Sequence, residues 1–564
     1  MSISKRDREF RLPKISYLEF KQIEMDRVLT RLFERLEHNG YPSRVRRKFE
    51  LTVEHFAQEF IEHPEWFSGF DKHPDILTRW IETHLMDVVH RGKARQAIAA
   101  PRPLHGFTYR FRNPKHSRDY GAAQHLYELL YAAEGGQDAL QQLEAFFFQG
   151  HDKVTGKVDN SVTLDVETQA LLRLMHQVED AADTRSGANR FPPLCPGSAA
   201  LLAEDIKRLL FYQSFIPRSV MVDYLKILLG FHLALYHLRL FKLLPDLVRR
   251  HGGDPSCTSC PMAPHRVSGP QGDCPHQFGL LLDVASLPGS AMALLAERSA
   301  DAHYRRIPGF IQAYFATKKL DEFGTDLVRR GKRQKPASGH LSVAEVLQLL
   351  EPIHKIEREK FFGQRVYGLI QNSSGSLETD LDPELQAVVD MKLGEFDTYI
   401  EMLVALRGRF HRQYITESMD SLLLKNRPGA LIAQPGTRTA RRRFVLDSRL
   451  LEVILQIAVL TPGGKLGYHT GTMRIDELLT FLRERYGLYV DQLPPNDGFT
   501  GASIADRRAL RENVTAFTGR LREVGFYQEL SDAYVTQTVT PRFRIGRNGP
   551  EAGKDVDGHG GDEA

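Results

Sequence analysis

Residues 221–244 read MVDYLKILLGFHLALYHLRLFKLL, and the fold class turns on whether this run is a membrane span or a buried helix. It is long enough to cross a bilayer as a helix. However, Asp223, Lys226, His232, His237, Arg239 and Lys242 interrupt it, and such side chains are costly in hydrocarbon. The run therefore reads as a helix buried inside a folded protein, with no membrane partner.

The same helical texture extends outward in both directions. Leu18, Ile23, Met25, Val28, Leu29, Leu32, Phe33 and Leu36 form one stripe that ends at Gly40, the spacing of an amphipathic helix closed by a glycine. Ser342 followed by Glu345 predicts a capping box and a helix start. Long β-rich runs are scarce before residue 430, so the fold class is mainly α. At 564 residues the chain is too long for one core and should divide into several domains. The expected divisions are an N-terminal helical domain at 1–150, a helical domain at 160–325 containing a cysteine loop at 257–276, a helical domain at 340–430, a C-terminal module at 436–546 and a disordered tail at 547–564. Within the first, RPLHGFTYRFRNPKHSRDYG (102–121) alternates aromatic and basic residues. It reads as an amphipathic edge strand with Phe107, Tyr109 and Phe111 in the core, the alternative being a surface on which single-stranded bases stack.

Composition sets limits on function. With 42% apolar and 26% charged residues the chain is an ordinary globular protein, neither fibrous nor wholly disordered. A net charge of +4 is too mild to name a partner, so any preference must come from local clusters. The N-terminus lacks the apolar core of a signal peptide, and the cytoplasm is the expected compartment. No GxxxxGK[ST], GxSxG or HExxH occurs, so no nucleoside triphosphate is expected as a ligand.

Three of the four cysteines fall in CTSCPMAPHRVSGPQGDCPH (257–276). Cys257 and Cys260 form a CxxC knuckle and Cys274 adds a third thiolate, a spacing suited to a metal. The fourth ligand is His276, His265 or the distant Cys195. A histidine would make a structural zinc site, and Cys195 an all-thiolate site open to zinc or an iron–sulfur cluster. Zinc is the first expectation and the cluster the alternative. A polar, glycine-rich loop cannot order itself by burial, so the metal would act as a staple.

From residue 436 the texture changes. RLLEVILQIAVL, MRIDELLTFLRERYG and ADRRALRENVTAFTGRLREVGF read as three helices. FYQELSDAYVTQTVTPRFRIG then reads as two strands around Ser531 and Asp532. This order resembles the winged-helix family of helix-turn-helix domains, in which the third helix enters the major groove. The resemblance assigns DNA contacts to Arg507, Arg508, Arg511 and Arg520 on that helix, Arg542 and Arg544 at the end of the wing, and Arg441, Arg442 and Arg443 in a basic arm ahead of the first helix. The insertion LYVDQLPPNDGFTGASI departs from a compact winged helix. As a whole, a large helical chain with a cysteine knuckle and a winged-helix end resembles accessory components of bacterial antiphage defence systems linked to DNA methylation or phosphorothioation. That resemblance implies a non-catalytic subunit that binds DNA or organises other protein subunits. The alternative is a metal-dependent nuclease; its nearest carboxylate and lysine pairs, Asp205 with Lys207 and Asp390 with Lys392, lie on amphipathic helices, and His151-Asp152 sits in a loop.

Overall fold

The computed structural model describes residues 4–89, 96–151, 164–186, 190–253, 274, 276–373, 382–436, 440–495, 497–528 and 537–550. The Cys257 and Cys260 knuckle, His265, Arg438, the Ser531–Asp532 turn and residues from 551 on lie outside the described residues. The fold is mainly α, and its principal helices are α1 Met25–Glu37, α2 Ala122–Ala132, α3 Gly136–Phe147, α4 Pro196–Leu210, α5 Arg218–Arg249, α6 Ala291–Tyr304, α7 Ile307–Arg329, α8 Lys355–Ser373, α9 Glu395–Leu422, α10 Ser448–Ala458, α11 Ile475–Phe481 and α12 Ile504–Glu523. Strands are short: β1 Ser43–Arg47, β2 Val178–Ala182, β3 Leu280–Leu281, β4 Met473–Arg474, β5 Leu488–Tyr489, β6 Tyr527–Gln528 and β7 Thr538–Val539.

Helix α5 contains the run 221–244 and is the axis of the molecule. Its 32 residues extend about 48 Å at ~1.5 Å per residue. Leucines and other good helix formers carry it from the N-cap Pro217, and they outweigh Pro245, inside its last turns, which has no N–H to give the Phe241 carbonyl. It is the one described helix long and apolar enough to cross a membrane, and 94% of that window is buried inside the protein. Helices α1, α4, α7, α9 and α10 pack around it.

Each polar residue that interrupts the apolar run finds a partner, as burial requires. Lys226 pairs with Asp26 at 2.8 Å and with Asp223 at 2.7 Å. His232 Nε2 lies 2.8 Å from Asp205 Oδ2. His237 meets Ser16 at 2.9 Å and the Leu233 carbonyl at 2.7 Å. Arg239 donates to Ser198 at 2.7 Å, and Lys242 pairs with Asp497 at 2.8 Å. The side chains that exclude a membrane reading are the ones that fix α5 against its neighbours.

One buried apolar cluster runs from Leu12 to Ile545 and takes in residues from all four folded segments expected from the sequence. A second, between Val53 and Val178, fills a smaller N-terminal core. The expected edge strand near residue 107 is instead a 3₁₀ helix, Gly106–Phe111. Its alternation has another cause. Tyr109 enters the main core while Phe107 and Phe111 enter the smaller one, so the segment serves two cores. All three rings are fully buried, which removes the stacking surface. The capping box expected at Ser342 is present: its Oγ accepts the Glu345 N–H at 3.2 Å, and the Glu345 carboxylate accepts the Ser342 N–H at 2.8 Å.

Candidate functional site

Cys195 stands at the N-cap of α4, followed by Pro196, whose fixed φ suits the first helical position. Its Sγ lies 3.2 Å from Ser198 Oγ and 3.8 Å from Arg239 Nη1. Cys274, far off in sequence, lies within reach of the charge of the same arginine. Burial pushes the Cys274 thiol up, the Arg239 charge pulls it back, and Cys195 pushes it further up. His276 is buried, with Nε2 4.0 Å from Asp246 Oδ2. One face of α5, carrying Arg239, Lys242 and Asp246, thus receives the end of the cysteine loop. Lys242 also donates to the Gln277 carbonyl. Asp497 clamps the next residues, accepting the Gly279 N–H at 2.6 Å and pairing with Arg306 at 2.5 Å. Among the described residues no three metal-ligating side chains converge; of the predicted thiols, Cys195 touches Arg239 and Cys274 feels its charge.

The C-terminal helices occur in the order expected, and β4 falls between α10 and α11. Strand β7 lies between β6 and β4, antiparallel to both. Helix α11 runs on into a π-turn, Leu482–Tyr486, closed by Gly487 at φ 71°. A Cβ there would sit 2.3 Å from the Phe278 carbonyl oxygen, so glycine is required both by conformation and by space. The insertion between the second and third helices carries β5, which pairs in parallel with β3. The module is therefore stitched to the segment that follows the cysteine loop.

Helix α12 starts at a second capping box, where Ser503 Oγ accepts the Asp506 N–H at 3.1 Å and Asp506 accepts the Ser503 N–H at 2.8 Å. It buries Ala509, Leu510, Asn513, Phe517 and Leu521. Its solvent face presents Arg507, Arg508, Arg511 and Thr515. Arg508 pairs with Glu512 at 3.0 Å, whereas Arg507 and Arg511 have no ion pair among the described residues. Arg441 and Arg544 are also exposed. The other predicted contacts are engaged within the chain, although only Arg443 is buried and Arg542 is exposed. Arg442 makes a bidentate pair with Asp420, both bonds 2.8 Å. Arg443 is buried 3.4 Å from Asp283. Arg520 donates to Ser448 at 2.8 Å, and Arg542 caps the end of α12 by donating twice to the Val524 carbonyl, at 3.2 and 2.6 Å.

A family model for methylation-associated defense system protein MAD7 matches residues 5–543. The chain belongs to the MAD7 family. No curated protein and no solved structure matches it. Membership in a defence-system family agrees with the texture read from the sequence, and MAD7 proteins are by description components of a larger system.

Within this MAD7 chain the carboxylates considered for a nuclease serve other ends. Asp205 is fully buried between His232, Arg485 and Tyr486, and Lys207 pairs with Glu204 at 3.6 Å. Asp390 is exposed and accepts from Gln386 at 2.8 Å, one helical turn away. Sequence reading missed Arg239, Lys242 and Asp497 as organisers of the cysteine-loop exit. The two on α5 are legible only as interruptions of an apolar run, and Asp497 sits in a loop distant in sequence.

Proposed function

We propose that this MAD7-family chain is a non-catalytic subunit of a methylation-associated defence complex that grips duplex DNA through α12 of a winged-helix module and joins other protein subunits through its helical body. The observation that carries the reading is the order α10, β4, α11, β5, α12, β6, β7, with a short hairpin of Leu460–Pro462 and Tyr468–Thr470 between α10 and β4, and with β7 paired to both β6 and β4. Three helices followed by a hairpin leave one face of α12 outward, and that face carries Arg507, Arg508 and Arg511, suited to phosphates and guanine edges. Arg441 and Arg544 extend the positive surface. Arg442, Arg443, Arg520 and Arg542 are engaged by partners within the chain and hold the module together, so the contact set is smaller than the sequence alone suggests. The Arg507→Ala, Arg508→Ala, Arg511→Ala triple variant is expected to weaken binding of a 20-base-pair duplex by about tenfold or more at 0.1 M salt. Fluorescence anisotropy decides it; a change within twofold contradicts the assignment.

A metal-held cysteine loop belongs to the same reading. The electrostatic influence of both Arg239 and Cys195 on Cys274 supports four thiolates, Cys257, Cys260, Cys274 and Cys195, as the donor set; with His276 4.0 Å from Asp246, histidine is the alternative fourth ligand. Zinc bound there would order the loop. Metal analysis of anaerobically purified protein is expected to find about one zinc per chain, lost in both Cys274→Ser and Cys195→Ser. Zinc retained in Cys195→Ser alone would assign the fourth position to a histidine, visible absorption with iron would mean a cluster, and no metal would remove the site.

A further inference from the structure

Helix α9 carries a second cationic surface, separate from α12. From Met402 to Thr416 it contains Arg407, Arg409 and Arg412 and no acid. Arg407, Phe410 and Tyr414, spaced by three and four, lie along one flank, and Arg409 and Arg412 on the adjoining outward face. Arg409, Phe410 and Arg412 are exposed, Phe410 to 39%. The Arg407 guanidinium sits 4.1 Å from the Phe410 ring centre. Lys21, from the segment before α1, lies 3.3 Å over Tyr414 and 5.7 Å from Phe410.

None of these four cations has an ion pair among the described residues, and Arg407 Nε is buried without a hydrogen-bond acceptor. Of the acids on the neighbouring segments, Glu19 pairs with Arg11, Glu24 with Arg427 and Glu9 with Lys318, and on α9 itself Glu401 and Glu417, which flank the stretch, accept from Gln312 and Gln413. The uncompensated field is felt by buried His411, whose imidazole is pushed down to about 4 by burial and by the charges of Arg407 and Lys21. Arg407, Arg409 and Arg412, three charges without an ion pair on one acid-free stretch of α9 beside the exposed Phe410 and the half-buried Tyr414, suit an anionic partner with flat apolar faces.

We infer that α9 binds a single strand of nucleic acid, phosphates on Arg407, Arg409, Arg412 and Lys21 and unpaired bases against Phe410 and Tyr414. Positive grooves lined with aromatics hold single strands this way, and a duplex keeps its base faces hidden. The inference stands whether or not α12 binds duplex.

The test uses the full chain with labelled dT20 and a 20-base-pair duplex. The Arg407→Ala, Arg409→Ala, Arg412→Ala variant is expected to weaken dT20 binding about thirtyfold and to lower the slope of log K against log salt by about 2, three contacts at ~0.7 each. It should leave duplex affinity within threefold. Phe410→Ala should weaken dT20 about tenfold with the slope unchanged, and the α12 triple variant should leave dT20 binding intact. Circular dichroism and melting verify folding; should the triple variant fail to fold, the Arg409→Gln, Arg412→Gln double, which touches only exposed side chains, carries the same test. No dT20 binding by the wild type, or binding indifferent to these variants, overturns the inference. Loss of duplex in place of dT20 does so in favour of duplex, and displacement of dT20 by poly-glutamate at equal charge concentration does so in favour of an acidic protein.

Discussion

Asp205→Ala is expected to lower the stability of the chain by about 3–5 kcal/mol, the cost of stranding a buried cation when its partner is removed. Asp205 on α4 is fully buried and accepts from His232 at 2.8 Å, Tyr486 at 2.8 Å and Arg485 Nε at 3.1 Å, with a further bond from Arg485 Nη2. The four side chains come from α4, α5 and the π-turn after α11, so the network joins the C-terminal module to the axis of the fold. Burial alone would raise the Asp205 carboxyl, but the Arg485 charge and the His232 hydrogen bond hold it well below the usual carboxylate range. A depressed carboxylate contributes stability above its unfolded value of about 3.9 and loses it as pH falls through the folded value. The contribution is therefore complete at neutral pH and fades only in strong acid. Urea unfolding followed by circular dichroism measures it. Asp205→Asn should also destabilise strongly, since Arg485 would keep its charge without a counter-ion, and a loss below about 1 kcal/mol in both variants would contradict this role.

The second large effect is expected at Asn513. This side chain is 1% exposed and reaches three backbone groups: Nδ2 donates to the Leu282 carbonyl at 2.9 Å and to the Val490 carbonyl at 2.8 Å, and Oδ1 accepts the Val284 N–H at 2.9 Å. It locks α12 to the β3 and β5 pair, and through β3 to the residues leaving the cysteine loop. Asn513→Ala leaves three buried backbone groups unsatisfied and should cost about 3 kcal/mol. Asn513→Asp should be worse, because it points acceptors at two carbonyls. Hydrogen exchange at the Val284 amide gives a local reading. Protection unchanged from the wild type would show that α12 is held by apolar packing alone.

What the sequence revealed follows from where the physics is local. Helix α5 was legible because six polar interruptions within an apolar run exclude lipid. The capping box at Ser342 and the glycine closing the π-turn are fixed by a few adjacent residues. The 3₁₀ helix at Gly106–Phe111 was not legible, since an alternation of aromatics is the same for a strand on one core and a turn between two. Asn513 falls among arginines on α12, and that it faces β3 depends on a parallel pairing between residues more than two hundred positions apart. The same holds for Arg442, Arg443, Arg520 and Arg542, whose carboxylate, hydroxyl or carbonyl partners lie mostly on other elements. Cys195 was legible as a thiol, but its place within electrostatic reach of Cys274 and Arg239 is set by tertiary structure. Helix α9 reads as one more amphipathic helix until the acids nearby are seen to be engaged elsewhere.

The most direct test of the central claim is the salt dependence of duplex binding by the intact chain. Association constants measured between 0.05 and about 0.3 M salt should fall linearly on logarithmic axes, and the Arg507, Arg508, Arg511 triple alanine variant should lose about 2.7 from the magnitude of the slope, three phosphate contacts at ~0.9 each. A wild-type chain that does not bind duplex at 0.05 M, or a triple variant with the wild-type slope, would contradict the account and leave the α12 face to a protein partner.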